Sequence, residues 1–413
     1  MSRVVWYRII VCGEKRAMKK NSLTPVLFFV FTLVSTHLHA QETVRFSVPL
    51  PLTGSYAKFA EIEKRSYEIA RDEINALGGM KGKRVVLDLE DSRGDPEQST
   101  LIVEKLLEAR KQPVLFGEYS SSCSKAIAEV AEARRVPYLV VTGAADSITQ
   151  QNGKYIFRMS PANAFYPSGL TSFFQEVVKP RTMAVIYESS DFGSSGAEVI
   201  LKQAGRAGIS ILIKEKYEKG MTDFGSILSR VKRERPDIIY MVSYVMDAAH
   251  LMRQIKKQEI DAKLLAGGAA GFAIPEFIFL ARDAAEYVTT ATLWVPEAAY
   301  PGAKPYVEKY RAGYGENPSY HGAEAYSALY VIKDVLERAK TWTPDDIRDA
   351  MKQTDMMTAF GPIKFEDRDG YTNQNFMDTL VMQIIKGRHE TIWPEKVATR
   401  KYIYPIPRWK DRK

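Results

Sequence analysis

TMAVIYESSDFGSSGAEVILKQAGRAGISILI, from Thr182 to Ile213, reads as a strand, a helix and a second strand. Thr182 to Tyr187 is a short apolar strand. Gly193 to Ala207 is the helix, and Ile209 to Ile213 is the strand that follows. The alternation continues with a helix over Phe224 to Glu234, a strand over Ile238 to Val242 and a helix over Ala248 to Gln258. Strands alternating with helices predict parallel sheets sandwiched by helices, because each parallel pair needs a crossover.

The same alternation appears upstream. Val44 to Pro49 is a strand, and Ala60 to Ala76 a helix with Ile62, Tyr67, Ile69, Ala70 and Ile74 on its apolar face. Gly78-Gly79 stops that helix. Val85 to Leu89 is a strand, and Pro96 to Arg110 a helix with proline in its first turn. Strands Val114 to Phe116 and Tyr138 to Val141 flank a helix over Ser122 to Arg134. Two such series in tandem mean two α/β lobes. Helices recur at Lys304 to Tyr314, Ala323 to Ala339 and Pro344 to Lys352, and Phe376 to Lys386 reads as strand. The segment Trp393 to Trp409 is rich in proline and aromatics and is expected to wrap the surface.

The start of the chain has a different character. Val26 to Val34 is an apolar run preceded by Lys19 and Lys20, ending at His37-Leu38-His39-Ala40. A basic start, a short apolar core and a small residue at the cut are the marks of a secretory signal peptide. The run is too short to span a bilayer, which needs about twenty residues. Cleavage is expected after Ala40. No cysteine follows the cut, so a periplasmic protein rather than a lipoprotein is expected. Met18 opens a conventional leader, making Met1 to Ala17 an upstream extension.

Residues 1–40 carry six of the 58 Lys and Arg and one of the 50 Asp and Glu. The remainder therefore holds 52 basic and 49 acidic residues, a net of +3 instead of +8. A near-neutral surface with mixed signs has no footprint for nucleic acid. The 373 residues after the cut exceed one core and suit two domains. Of the two cysteines only Cys123 remains after processing, so it has no intrachain partner and reads as a buried small hydrophobe. Catalytic and cofactor signals fail in turn. Asp191-Phe192-Gly193 copies a kinase tripeptide without its companions, and the first strand–helix turn carries Pro-Leu-Thr-Gly instead of a dinucleotide fingerprint. His250, His321 and His389 are too scattered for a metal site. No catalytic residue, metal or cofactor is expected.

Ordered motifs then point to one family. Pro49-Leu50-Pro51-Leu52-Thr53-Gly54 is followed by Arg71-Asp72-Glu73-Ile74-Asn75-Ala76-Leu77-Gly78-Gly79-Met80-Lys81-Gly82. Glu90-Asp91 with Asp95-Pro96, Ser120-Ser121-Ser122, Val136-Pro137 and Phe157-Arg158-Met159-Ser160-Pro161 come next. Asp191-Phe192-Gly193, Gly361-Pro362-Ile363-Lys364-Phe365 and Asp369-Gly370 complete the set. Across Val44 to Lys386 the chain resembles the leucine/isoleucine/valine-binding protein family. The resemblance implies a type I periplasmic binding protein: an α/β protein of two doubly wound parallel-sheet lobes joined by three crossovers, with ligand in the cleft between. Crossovers are expected near Ser160-Pro161, Val295-Pro296 and Phe360-Gly361. That divides the chain into a leader (1–40), a first lobe (41–160 with 297–360), a second lobe (161–296 with 361–390) and a tail (391–413).

Ser121 and Ser122 follow a strand and precede a helix, where hydroxyls and free backbone N–H groups make an anion pocket. In the family, the serine matching Ser121 binds the ligand carboxylate; helix capping is the alternative role. Ser121→Ala is expected to weaken carboxylate binding and spare the fold. The next strand loop has Gly143 and Ala144 where the family commonly has a small residue and a threonine that holds the ligand ammonium. Ala269, within Gly267-Gly268-Ala269-Ala270-Gly271, stands where the family has an acid. Both departures remove partners for a buried cation, so an α-amino acid ligand is not favoured. Tyr56, Phe59, Tyr119, Phe192 and Tyr244 offer flat walls, with core packing the other reading for Phe59 and Phe192. Glu118 and Asp247 are substitutes for the lost acid. The expected role is an extracytoplasmic solute-binding protein that delivers an amino acid, amide, urea-like compound or aromatic carboxylate to ABC permease subunits. The alternative is a ligand sensor coupled to a chemoreceptor or histidine kinase; an enzyme is not expected.

Overall fold

Side chains at the helix ends explain where several helices begin. Asp95 accepts Gln98 N–H ahead of a proline in the first turn, Ser120 accepts Cys123 N–H, and Thr343 accepts Asp346 N–H. Each satisfies a backbone donor that the helix cannot. The computed structural model describes residues 42–109 and 112–412, so the expected leader and its cut lie outside the described residues.

The first series is β1 (Thr43–Leu50), α1 (Ala57–Ala76), β2 (Arg84–Asp91), α2 (Pro96–Glu108), β3 (Leu115–Gly117), α3 (Ser121–Arg134), β4 (Tyr138–Val140) and β5 (Ile156–Arg158). The second is α4 (Ser168–Phe173), β6 (Thr182–Glu188), α5 (Asp191–Arg206), β7 (Ser210–Tyr217), α6 (Gly225–Glu234), β8 (Ile238–Val242), α7 (Val245–Lys257), β9 (Leu264–Gly267), α8 (Pro275–Ala281) and β10 (Thr289–Thr292). Then come α9 (Ala303–Tyr314), α10 (Tyr320–Arg338), α11 (Pro344–Lys352), β11 (Asp355–Met357), β12 (Pro362–Lys364), β13 (Glu366–Arg368) and β14 (Tyr371–Gln374), and finally β15 (Leu380–Ile385) and β16 (Arg388–Trp393).

In the second lobe a seven-stranded sheet runs β16-β15-β10-β9-β8-β6-β7. Neighbours from β7 to β10 are parallel, and β15 and β16 are added antiparallel. β8 and β9 are buried at every position, as expected of central parallel strands covered by helices on both faces. Edge strand β7 alternates instead. In the first lobe the order is β13-β14-β5-β4-β3, and β1 continues beside β3, with Glu118 N–H donating to Pro49 O at 2.7 Å. β2 pairs parallel with β1. The result is a two-lobed α/β architecture of two doubly wound, parallel-dominated sheets.

The chain leaves the first sheet after β5, returns after β10 and leaves again between β14 and β15. The last passage corrects the expected crossover near Phe360-Gly361. Residues 362–374 belong with the first lobe, because β14 pairs parallel with β5. The buried Arg158 guanidinium donates to Gln374 Oε1 at 2.6 Å, locking that pairing. Phe376 to Lys386 is accordingly not one strand, since residues 375–379 form the crossing. Asn375 Nδ2 donates to Met159 O at 2.9 Å and Thr379 Oγ1 to Tyr166 O at 3.0 Å, so the first and third crossings run side by side. The edge strand β16 extends to Trp393, past the expected boundary at 390. Beyond it the tail lies along the second lobe. Ile406 N–H donates to Lys263 O at 3.0 Å, and Trp409 Nε1 to Ile260 O at 2.8 Å.

Candidate ligand-binding cleft

The cleft is built at the carboxyl ends of the strands, where an open α/β sheet places its ligand. β3 ends on two residues with positive φ, Gly117 and Glu118, which turn the chain into α3. Ser120, not Ser121, is the helix cap. Ser121 Oγ accepts N–H from both Ala144 and Ala145, each at 3.1 Å. It therefore pins the loop after β4 to the start of α3. With both acceptor sites used, its own hydrogen remains to donate. The Ser121 hydroxyl thus also carries part of the fold, contrary to the expectation that its removal would spare it. Ser122 is half-buried and does not line the cleft. Gly143 lies behind the loop: a Cβ there would stand 2.7 Å from Ser124 Oγ, so only glycine allows that approach.

Aromatic rings close the space. Tyr119 stacks on Phe59, with centroids 4.3 Å apart and an interplanar angle of 11°. Tyr244 of the second lobe meets Tyr119 at 5.8 Å and Phe192 at 5.1 Å. Tyr320 stacks on His321 at 3.8 Å, and its hydroxyl accepts Ala270 N–H from the other lobe at 3.1 Å. Asn163, in the first crossing, gives its backbone N–H to Ala144 O at 2.7 Å and its amide to Phe192 O at 3.0 Å. The space left is about 10 Å³, room for one water molecule at most. The two lobes meet across this space, and the lining side chains nearly fill it.

Five expected residues line that space: Tyr119, Ser121, Ala144, Phe192 and Tyr244. Ser122, Gly143, Tyr56, Phe59 and Ala269 do not, although Phe59 supports Tyr119 and Ala269 directly precedes a lining residue. Thr142, Tyr166, Ala270, Tyr320 and His321 complete the lining. Sequence reasoning missed them, yet a signal existed. Thr142 adjoins the Gly143-Ala144 pair, and Tyr166 and Ala270 lie a few residues from positions already singled out. Tyr320 and His321 begin α10, where the chain re-enters the first lobe. A roomier hollow of about 570 Å³ lies on the other side of Tyr320, open to solvent and bordered by Glu297, Glu316 and Arg388.

No lining side chain carries a charge at neutral pH. Burial pulls the His321 imidazole down to about 3, and the buried tyrosines are pushed up. Four buried carboxyls stand near the lining without being part of it. Thr142 Oγ1 donates to Glu63 Oε1 at 3.0 Å. Burial drives Glu63 well above the ordinary carboxylate range, and Glu324 likewise. Glu324 is buried without a hydrogen bond of ordinary geometry, and Ser160 is the polar side chain that acts on it. Glu118 is pushed to about 7 by burial; its Oε1 accepts Tyr119 N–H at 3.0 Å within the first lobe. Asp247 is held near the second-lobe loop, with Gly220 N–H at 3.4 Å, and burial raises it to about 6. Neither substitute acid lines the cleft. Among the described residues no group of three or more His, Cys, Asp and Glu is placed to hold a metal.

A family model described as periplasmic binding protein matches residues 43–388. Leu/Ile/Val-binding protein homolog 8 of Brucella melitensis is 29% identical over 372 residues, covering 87% of this chain and 92% of the relative. The branched-chain amino acid transporter substrate-binding protein LivJ from Streptococcus pneumoniae, solved in complex with isoleucine, has a TM-score of 0.77 at 22% identity, over 86% of this chain and 100% of that one. A solute-binding protein of an ABC transporter from R. palustris, solved in complex with benzoate, has a TM-score of 0.74 at 17% identity, over 84% and 95%. At these identities the two structures establish a shared fold.

Proposed function

This chain belongs to the periplasmic binding protein family, and on that premise we propose that it closes on a carboxylate without an amine, or on a neutral amide or urea-like compound, and delivers it to an ABC importer of the branched-chain amino acid type. Its family is one of substrate-binding proteins rather than enzymes, working outside the cytoplasm with membrane permeases. The observation that carries the ligand class is the lining: hydroxyls and aromatic faces, with no charged side chain. Ser121 O–H and the start of α3 favour an anion or a carbonyl oxygen. Tyr119, Phe192 and Tyr244 supply walls for a flat body.

A buried ammonium needs acceptors and a counter-charge. The Ala144 and Ala270 side chains present only methyl groups, and burial drives Glu63, behind Thr142, well above the ordinary carboxylate range, which disfavours a counter-charge there. The fold itself serves both chemistries, since one similar structure holds isoleucine and another benzoate. A thermal-shift screen over amino acids, amides, ureas and aromatic acids, followed by calorimetric titration, decides between them. Binding of aromatic acids or amides ahead of leucine, isoleucine, valine and phenylalanine is the expected result. Sub-micromolar binding of any of those four, lost in the deaminated analogue, would overturn the ligand class.

A further inference from the structure

Tyr56 does not line the cleft but stands directly behind it, with its ring 5.8 Å from that of Tyr119, and its surroundings give it a different task. It lies just before α1 in the first lobe and is only 3% exposed. Its own lobe provides half of its seat: a Cβ at Gly94 would stand 2.4 Å from the Tyr56 ring, so the ring rests directly on a glycine. The other half comes from the second lobe. Tyr244 meets it edge-on with centroids 4.6 Å apart. Lys219, in the exposed loop after β7, places Nζ 3.9 Å from the ring centroid on the solvent side. Glu188 and Asp247, buried carboxyls of the same lobe, lie within electrostatic reach of Lys219.

We propose that Tyr56 is an interlobe clasp: a first-lobe ring received between Tyr244 and Lys219 of the second lobe, stabilising the closed state without touching the ligand. The inference rests on the reading that the cleft closes on a ligand, but not on which ligand. Opening exposes the ring and removes Lys219 from its face, so both contacts contribute only to closure. A cation over an aromatic face is favourable, and more so when partly desolvated. Because the clasp makes no ligand contact, it lowers the release rate of every ligand by the same factor.

The test uses the secreted protein with spin labels on the two lobes, and the variants Tyr56→Ala, Tyr56→Phe, Lys219→Met and Lys219→Arg. Interlobe distance distributions without ligand should shift toward the open form in Tyr56→Ala and Lys219→Met, and stay near the parent in Tyr56→Phe and Lys219→Arg. Release rates should rise about 2- to 30-fold in Lys219→Met, the range of a cation–π contact, and more in Tyr56→Ala. The factor should be the same for each ligand in a panel of aromatic acids, amides and amino acids. Factors that differ between ligands in Lys219→Met, which leaves the lining rings in place, would overturn the clasp. Unchanged distance distributions in both Tyr56→Ala and Lys219→Met would also overturn it. If no panel member binds, the ligand class fails, while the ligand-free distances still decide the clasp.

Discussion

Ser121→Ala should destabilise the protein by about 2 to 4 kcal/mol, in addition to any effect on ligand. The hydroxyl oxygen accepts two backbone N–H groups, from Ala144 and Ala145, at 3.1 Å each, and Ser121 is 2% exposed. A buried donor stripped of its acceptor costs about 1 to 3 kcal/mol, so two would cost about 2 to 6. The vacated hydroxyl volume adjoins a space of about 10 Å³, enough for one water to restore part of the bonding, which lowers the upper bound. The assay is urea unfolding of parent and variant at equal slope, with Ser122→Ala as the control. That control, half-buried beside it, should move stability by less than about 0.5 kcal/mol. Amide hydrogen exchange locates the effect: the Ala144 and Ala145 amides should lose protection first. A variant within about 0.5 kcal/mol of the parent, with those amides still protected, would refute the argument that Ser121 anchors the loop. If the variant also loses a further 1.5 to 3 kcal/mol of carboxylate affinity, about the worth of a hydrogen bond to a charged group, the hydroxyl hydrogen serves the ligand.

Glu324→Gln should flatten the dependence of stability on pH. Burial raises the folded-state value of Glu324 well above 4.5, so its favourable contribution is complete below about 4.5 and is lost as pH rises toward the folded value. The variant should therefore gain on the parent from pH 5 to pH 9 in urea unfolding, and parallel profiles would sink the idea. Gly143→Ala should cost about 1 to 3 kcal/mol through its 2.7 Å clash with Ser124 Oγ, and Ser124→Gly in the same chain should recover most of it in a double-mutant cycle.

The alternation from Thr182 to Ile213, and its echo upstream, was enough to read two α/β lobes with the cleft at strand ends, because period and element order are local properties. Resemblance led to Ser121, Ala144 and Phe192 and the neighbouring aromatics to Tyr119 and Tyr244; these five line the space, whereas Ser122, Gly143, Tyr56, Phe59 and Ala269 do not. The third crossing was not legible. Gly361-Pro362 looks like a break, but the pairing of β14 with β5 depends on Arg158 reaching Gln374, 216 positions away.

What the sequence by itself determined is therefore the class of fold, the order of its elements and five of the residues that line the space between the lobes. Only the tertiary structure decided which neighbours of those positions point inward. Tyr56 and Phe59 are three residues apart on one stretch and touch the same two rings, yet Tyr56 sits closer to Tyr244 of the other lobe (4.6 Å) and Phe59 stacks on Tyr119 of its own (4.3 Å). His321 and Tyr320 reach the cleft because α10 begins there, and Glu63 meets Thr142 across a separation of 79 residues. Such contacts arise from the packing of two lobes against each other. Their closeness is set by three-dimensional geometry that local periodicity does not encode, because residues far apart in the chain meet only when the lobes are folded and closed.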